Sequence, residues 1–218
     1  MSGFQKKACW RILGVCAAVI GWLLFDAGQA QILVIDNSTS PLAVALSIDA
    51  TTSVANVFAT DSQTYQLNSI TLLQLSGDIH HPLDVELWSD SSSRPASVFA
   101  TGFSPNGTNA LFGTRTYTPA GTVTLSPNTR YWLVLEQAGS SYGWRDTHPV
   151  SPLNAYNTGP GTLGGVSLNS GSGWSVETPT ACYFQVLATP VPEPAACVTA
   201  SGIVLAAFGA WRRRQARR

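Results

Sequence analysis

The chain has 218 residues, 44% of them hydrophobic and only 11% charged, against about 25% charged in an ordinary soluble domain. So few charges exclude a nucleic-acid binder built on a basic face and a highly charged disordered chain. The 12 basic and 12 acidic residues are also sorted by region: the two ends, 1–30 and 192–218, hold eight basic and two acidic residues for a net +6, and the body, 31–191, holds four Arg and ten acids for a net −6.

At the N-terminus, Lys6, Lys7 and Arg11 lead into an apolar run over 12–25, and the small residues Gly28 and Ala30 follow at the positions a signal peptidase requires. This order predicts a signal peptide over 1–30, cleaved between Ala30 and Gln31. An uncleaved anchor is the alternative, but the run is shorter than the roughly 20 residues of a membrane span. Cys16 follows Val15 where a lipoprotein signal needs a small residue, so lipidation is not expected.

The body is long enough for one well-buried core. Its 13 Gly and 11 Pro are scattered, and no stretch keeps an apolar 3.6-residue period, whereas short β-branched and aromatic runs recur between turn residues. That pattern predicts an all-β fold, a single antiparallel β-sandwich or jelly roll over 31–189. In chain order, strands are expected at 32–35, 42–48 and 54–60. The run 65–75 changes phase between Leu67 and Ile70, which reads as a bulge near Asn68 and Ser69, although two separate strands would give the same pattern. Over 83–88, Leu83, Val85 and Leu87 alternate with Asp84 and Glu86, the mark of a strand with one dry and one wet face. Further strands are expected at 97–101, 114–117 and 122–125. After the turn Ser126-Pro127-Asn128-Thr129, the segment Tyr131-Trp132-Leu133-Val134-Leu135 is apolar on both faces and suits a central strand. The last strand is expected at 182–187, with the chain leaving the sheet at Pro190. Once Cys9 and Cys16 leave with the signal and Cys197 lies in the tail, Cys182 is alone in the body, which excludes an internal disulfide and a cysteine zinc site; it is expected as a small buried hydrophobe.

No catalytic or metal-binding constellation and no cofactor motif is read in the body. His80, His81 and His148 sit in turn-like segments before proline without metalloenzyme spacing. Asp84 and Glu86 lie close on one strand face, as a glycosidase pair would, but solubility of a wet face explains them. Asp90, in Ser89-Asp90-Ser91-Ser92-Ser93, lacks further acids at calcium-ligand spacing. Gly159, Gly161, Gly164 and Gly165 fall in a turn-rich stretch with no helix after them, unlike a phosphate loop. The tryptophans offer more: Trp88 shares the Asp84 and Glu86 face, Trp132 belongs to the core, and Trp144 and Trp174, in loop-like settings, are the candidates for stacking on a glycan.

The C-terminus, 190–218, joins Val191-Pro192-Glu193-Pro194 to an apolar stretch over 195–211 and to the basic tail of Arg212, Arg213, Arg214, Arg217 and Arg218. As a helix the stretch covers about 26 Å, enough for a thin hydrocarbon core, and the Arg cluster stays on the cytoplasmic side. This order closely resembles the PEP-CTERM sorting signal of Gram-negative bacteria, matching it at Pro192, Glu193 and Pro194, in the apolar helix and in the Arg-rich end. The resemblance implies transient insertion in the inner membrane, recognition by an exosortase-like membrane protease, and delivery to the cell surface or to the extracellular matrix of a biofilm. An ordinary single-span anchor would have the same topology without release.

A second resemblance covers about 56–147. Phe58-Ala59-Thr60, Tyr65-Gln66-Leu67-Asn68-Ser69-Ile70-Thr71-Leu72, Val85-Glu86-Leu87-Trp88-Ser89-Asp90 with Pro95, Thr116-Tyr117-Thr118-Pro119, Thr129-Arg130-Tyr131-Trp132-Leu133-Val134-Leu135, Tyr142 and Trp144 resemble the choice-of-anchor R type of bacterial surface domain, with Ser93 where that family carries Gly. It implies a β-sandwich and no established activity. The function expected is therefore that of an exported, non-enzymatic structural or interaction protein of the surface or exopolysaccharide matrix. A carbohydrate-binding module, whose partner would be an exopolysaccharide, and a polysaccharide-active enzyme are the alternatives.

Overall fold

A computed structural model of the chain describes residues 30–39, 42–76, 83–106, 113–136, 142–147 and 157–192, with Arg212, Arg213 and Gln215. The chain divides into two compact units, Met1–Ala30 and Gln31–Arg218. Apart from Ala30, the expected signal peptide lies outside the described residues. The described residues of the second unit up to Pro192 are all-β, built of antiparallel sheets.

The larger sheet contains β1 (Ile32–Asp36), β2 (Leu42–Ile48), β4 (Tyr65–Ser76), β7 (Phe103–Pro105), β8 (Gly113–Pro119), β9 (Thr124–Leu125), β11 (Tyr142–Thr147) and β13 (Phe184–Pro190). Its main path runs β1-β13-β4-β11-β2, with β8 and β9 paired to β4, and β7 to β8. The smaller sheet has the order β12-β3-β10-β5-β6, from β12 (Thr162–Asn169), β3 (Ser53–Ala59), β10 (Arg130–Glu136), β5 (Asp84–Ser91) and β6 (Arg94–Ala100). The two sheets share one hydrophobic core: Ile70, Leu72, Phe184 and Val186 from the first meet Val54, Phe58, Leu87, Leu133 and Leu163 from the second. The Phe58 and Phe184 rings bridge the layers at 6.1 Å between centroids. Each fully buried side chain of this size contributes about 1.5–3 kcal/mol.

The expected bulge is present in β4. Leu187 pairs with Ser69 but Ala188 pairs with Leu67, so Asn68 is the extra residue that no β13 residue opposes. The phase change follows: Tyr65 and Leu67 face the core before the bulge, Ile70 and Leu72 after it. The expectation for the strand starting at Leu83 also holds, since Leu83, Val85 and Leu87 are buried while Asp84 is exposed and Glu86 half-buried.

At the β5 to β6 turn, Ser92 and Ser93 both take left-handed backbone angles, φ 54° and 60°. Two such residues in succession make the type I′ hairpin turn whose twist suits the flanking strands, and glycine or asparagine is the usual occupant. Serine at position 93 is thus accommodated with some backbone strain.

Two asparagines tie the layers together through the segment before β13. Asn37, fully buried after β1, donates from Nδ2 to the Cys182 carbonyl (2.8 Å) and accepts at Oδ1 from the Phe184 N–H (2.9 Å). Asn56, fully buried in β3 of the other sheet, accepts at Oδ1 from the Cys182 N–H (2.5 Å) and donates to the Gly164 carbonyl (3.0 Å). Cys182 itself is buried, as expected, but in the lead-in to β13 and not within it. Beside this clamp, burial would raise the Asp36 carboxyl, yet hydrogen bonds from Ser38, Gln185 and Thr158 outweigh it and hold the group below its ordinary value.

Among the described residues no helix is long and apolar enough to cross a membrane. The apolar stretch 195–211 lies outside them; Arg212, Arg213 and Gln215 are helical and exposed.

Candidate functional site

The smaller sheet carries a second hydrophobic cluster on the face turned away from the main core. Alternation along β10 sends Tyr131, Leu133 and Leu135 into the main core and Trp132 and Val134 to the other face, where Ala55 and Val57 of β3 join them. All four of these outer residues are buried. This explains why β10 is apolar on both faces: it is central, and both of its faces are covered.

Part of the cover comes from β5. Trp88 lies directly opposite Trp132 in the ladder and packs on the cluster. The rest comes from the segment after β12. There Trp174 forms an isolated bridge with Asn169 and meets Trp88 edge to face, 6.0 Å between centroids and 74° between planes, a geometry worth about 0.5–1.5 kcal/mol beyond area burial. Val166 and Thr178 exchange backbone bonds, and Glu177 Oε1 accepts from the Gly165 N–H at 2.7 Å. The segment lies so close that a Cβ on Gly165 would stand 1.8 Å from the Thr178 carbonyl oxygen.

The polar atoms of this face are mostly committed to one another. The Trp88 indole donates to Glu86 Oε2 (2.7 Å) and the Trp132 indole to Asp90 Oδ1 (2.7 Å). Arg130 reaches Glu177 at 2.8 Å and Asp90 at 3.5 Å. Glu86 and Asp90 therefore orient tryptophans. Asp90 lies on strand β5.

At the end of the same sheet a groove of about 470 Å³ is lined by Ser89, Asp90, Phe99, Asn128, Arg130 and Tyr131. Phe99 forms its apolar wall: the residue is 44% exposed, and its ring lies against that of Tyr131 at 5.1 Å between centroids. Asn128, at φ 49° in the expected 126–129 turn, is among its lining residues. An exposed ring flanked by hydroxyl, amide and charged groups has the chemistry of a sugar subsite, with an apolar plane for a pyranose face and polar atoms for its hydroxyls.

The two tryptophans expected to contact glycan have different fates. Trp144 is not in a loop: it lies in β11, is 1% exposed, donates its indole N–H to the Tyr183 carbonyl at 3.1 Å and packs on Phe184. Glycine and charged neighbours, Gly143, Arg145 and Asp146, gave the segment the composition of a turn, but the strand's alternation turns Tyr142 and Trp144 into the core. Trp174 does lie outside the strands, half-buried against Trp88. Trp132 is buried as expected, though in the outer cluster and not between the sheets. Gly164 and Gly165, expected in a turn-rich stretch, belong to strand β12. Phe99 carried no sequence signal beyond a β-rich run. His80, His81, His148, Glu193, Pro194, Arg214, Arg217 and Arg218 lie outside the described residues.

Compared with known proteins, the chain matches no family model and no curated protein.

Proposed function

We propose that the protein is an exported, non-enzymatic component of the cell surface or exopolysaccharide matrix, a single β-sandwich carried between a cleaved signal peptide and a C-terminal sorting segment that an exosortase-like protease recognises. The observation that carries this reading is the ordered string Val191-Pro192-Glu193-Pro194, apolar 195–211 and Arg-rich end, a three-part signal at one terminus with a secretory signal at the other. Two structural features support it. The boundary between the compact units falls between Ala30 and Gln31, the bond expected to be cut. At the other end the chain leaves β13 at Pro190, and Val191 is 40% exposed, so the sorting motif begins on an accessible, proline-stiffened segment.

Mass spectrometry of the native protein tests the reading. The mature chain is expected to begin at residue 31 and to lack Trp211 and the Arg tail, leaving a net negative, membrane-free product. A mature chain that retains Trp211 and Arg212 to Arg218 would overturn release in favour of a permanent single-span anchor.

A second reading, glycan binding, is favoured by the exposed Phe99 in its polar groove; Trp174, half-buried on the outer cluster, is the second candidate. In pull-down on the exopolysaccharide of the producing strain, Phe99→Ala is expected to reduce retention about tenfold, the worth of one stacking contact of about 1–1.5 kcal/mol, and Trp174→Ala less. Retention unchanged in both variants would remove the reading.

A further inference from the structure

We propose that the exported protein is blocked at its N-terminus by a pyroglutamate formed from Gln31. The proposal rests on signal-peptide cleavage between Ala30 and Gln31. That cut would leave glutamine with a free α-amine, the one amino acid whose side-chain amide carbon sits at five-membered-ring distance from its own amine at no cost in charge. The unprotonated amine nitrogen attacks Cδ, the N–Cδ bond forms, the Cδ–Nε2 bond breaks, and the amide nitrogen leaves as ammonia with the amine's proton. No water, oxidant or cofactor enters. The amine's ordinary pKa near neutrality, about 7.7–8.0, leaves a reactive fraction unprotonated at physiological pH, and the two reacting groups are held together by the chain itself.

The surroundings of Gln31 leave this ring closure unhindered. The β1 ladder begins at Ile32, which pairs with Ala188, so Gln31 precedes the first paired residue. It is exposed, and it lies at the rim of an open depression of about 610 Å³ shared with Gln66, Asn68, Thr122 and Thr189. The side chain thus has room to fold back on the amine, and the neighbours are uncharged.

The consequence falls on β1. Its first residues, Ile32 and Leu33, pair with β13, while the bonds on the other edge, from Gly161 to Val34 and from Thr158 to Asp36, begin only at Val34; this start of the strand would be the part open to aminopeptidases, which need a free α-amine. Stepwise trimming would soon reach Val34 and Ile35, both fully buried in the core, and then the Asn37 half of the clamp. A lactam at residue 31 stops that trimming at its first step.

The test uses the full chain, secreted by its own host and analysed as the mature protein. The N-terminal peptide is expected to start at residue 31, to weigh one ammonia less than the glutamine form, to resist Edman degradation, and to yield a sequence from Ile32 after pyroglutamyl peptidase. The Gln31→Ala variant should be open to Edman degradation and lose its first residues to aminopeptidase while the wild type does not. A synthetic peptide with the same first residues, carried through the same handling, measures cyclisation that arises in the workup. An intact glutamine with a free amine at residue 31, or cyclisation no greater than in that peptide, overturns the proposal while the cleavage stands. A mature chain starting at any other residue overturns both.

Discussion

Replacing Asn56 by Ala is expected to lower the stability of the secreted protein by about 2–4 kcal/mol, a large share of the roughly 5–15 kcal/mol that holds a domain of this size. The side chain is fully buried, and its removal deletes the bond it accepts from the Cys182 N–H at 2.5 Å and the bonds it donates to the Gly164 and Val57 carbonyls, both at 3.0 Å. Each buried hydrogen bond lost costs about 1 kcal/mol. The cavity left by the lost amide adds to this. Asp is no rescue, because it keeps the acceptor for Cys182 but puts a carboxylate in the core opposite a carbonyl. Asn68→Ala is the comparison: among the described residues its amide meets the Thr189 hydroxyl at the half-buried β4 bulge, so its loss should cost about 1 kcal/mol or less. Urea midpoints of the three proteins decide the matter. A midpoint for Asn56→Ala as close to wild type as that of Asn68→Ala would show that the clamp does not hold the sheets together.

The strands that sequence pattern located were those whose environment is simple. The strand from Leu83 has one dry and one wet face, and its alternation shows this directly; β10 is covered on both faces and reads as a continuous apolar run. The bulge in β4 was legible because one extra residue inverts the hydrophobic phase, and nothing but a bulge or a break does that. β12 was not legible. It contains Gly164 and Gly165 in its middle, residues that weaken a strand and ordinarily mark a turn; their reason is tertiary, the approach of Val57 on one side and the Thr178 backbone on the other. β11 failed for a related reason, since Gly143, Arg145 and Asp146 have turn composition while the two aromatics between and before them supply the packing. The candidate site was half legible. Sequence singled out aromatics beside polar residues as the chemistry to look for, but whether a ring such as Trp144 or Phe99 faces the core or the solvent depends on strand register and on which segments cover an edge, and neither is written locally.

That tertiary reason makes Gly165 the most informative position on the outer face. Gly165→Ala is expected to cost about 2–4 kcal/mol and to release the segment that carries Trp174, leaving the core between the sheets intact. A Cβ there would lie 1.8 Å from the Thr178 oxygen and 2.9 Å from Glu177 Cγ; the first contact is with backbone, so the segment itself must withdraw. Withdrawal breaks the Thr178 to Val166 backbone bond at 2.8 Å and the Gly165 to Glu177 bond at 2.7 Å, each worth about 1 kcal/mol. It also loses the Trp88 and Trp174 contact, about 0.5–1.5 kcal/mol, and the exposed Arg130 to Glu177 pair, at most about 1 kcal/mol. Gly121→Ala is the control, since nothing lies within 4 Å of a Cβ at that position, and it should stay within about 0.5 kcal/mol of wild type. The variant should show red-shifted tryptophan emission, as Trp88 and Trp174 meet water, and faster proteolysis between Ser170 and Thr180. It should also self-associate, because Ala55, Val57, Trp132 and Val134 form an apolar patch once their cover lifts. Unchanged emission and proteolysis, with wild-type stability, would mean that the segment does not seal this face. The aromatic cluster would then need another explanation than burial.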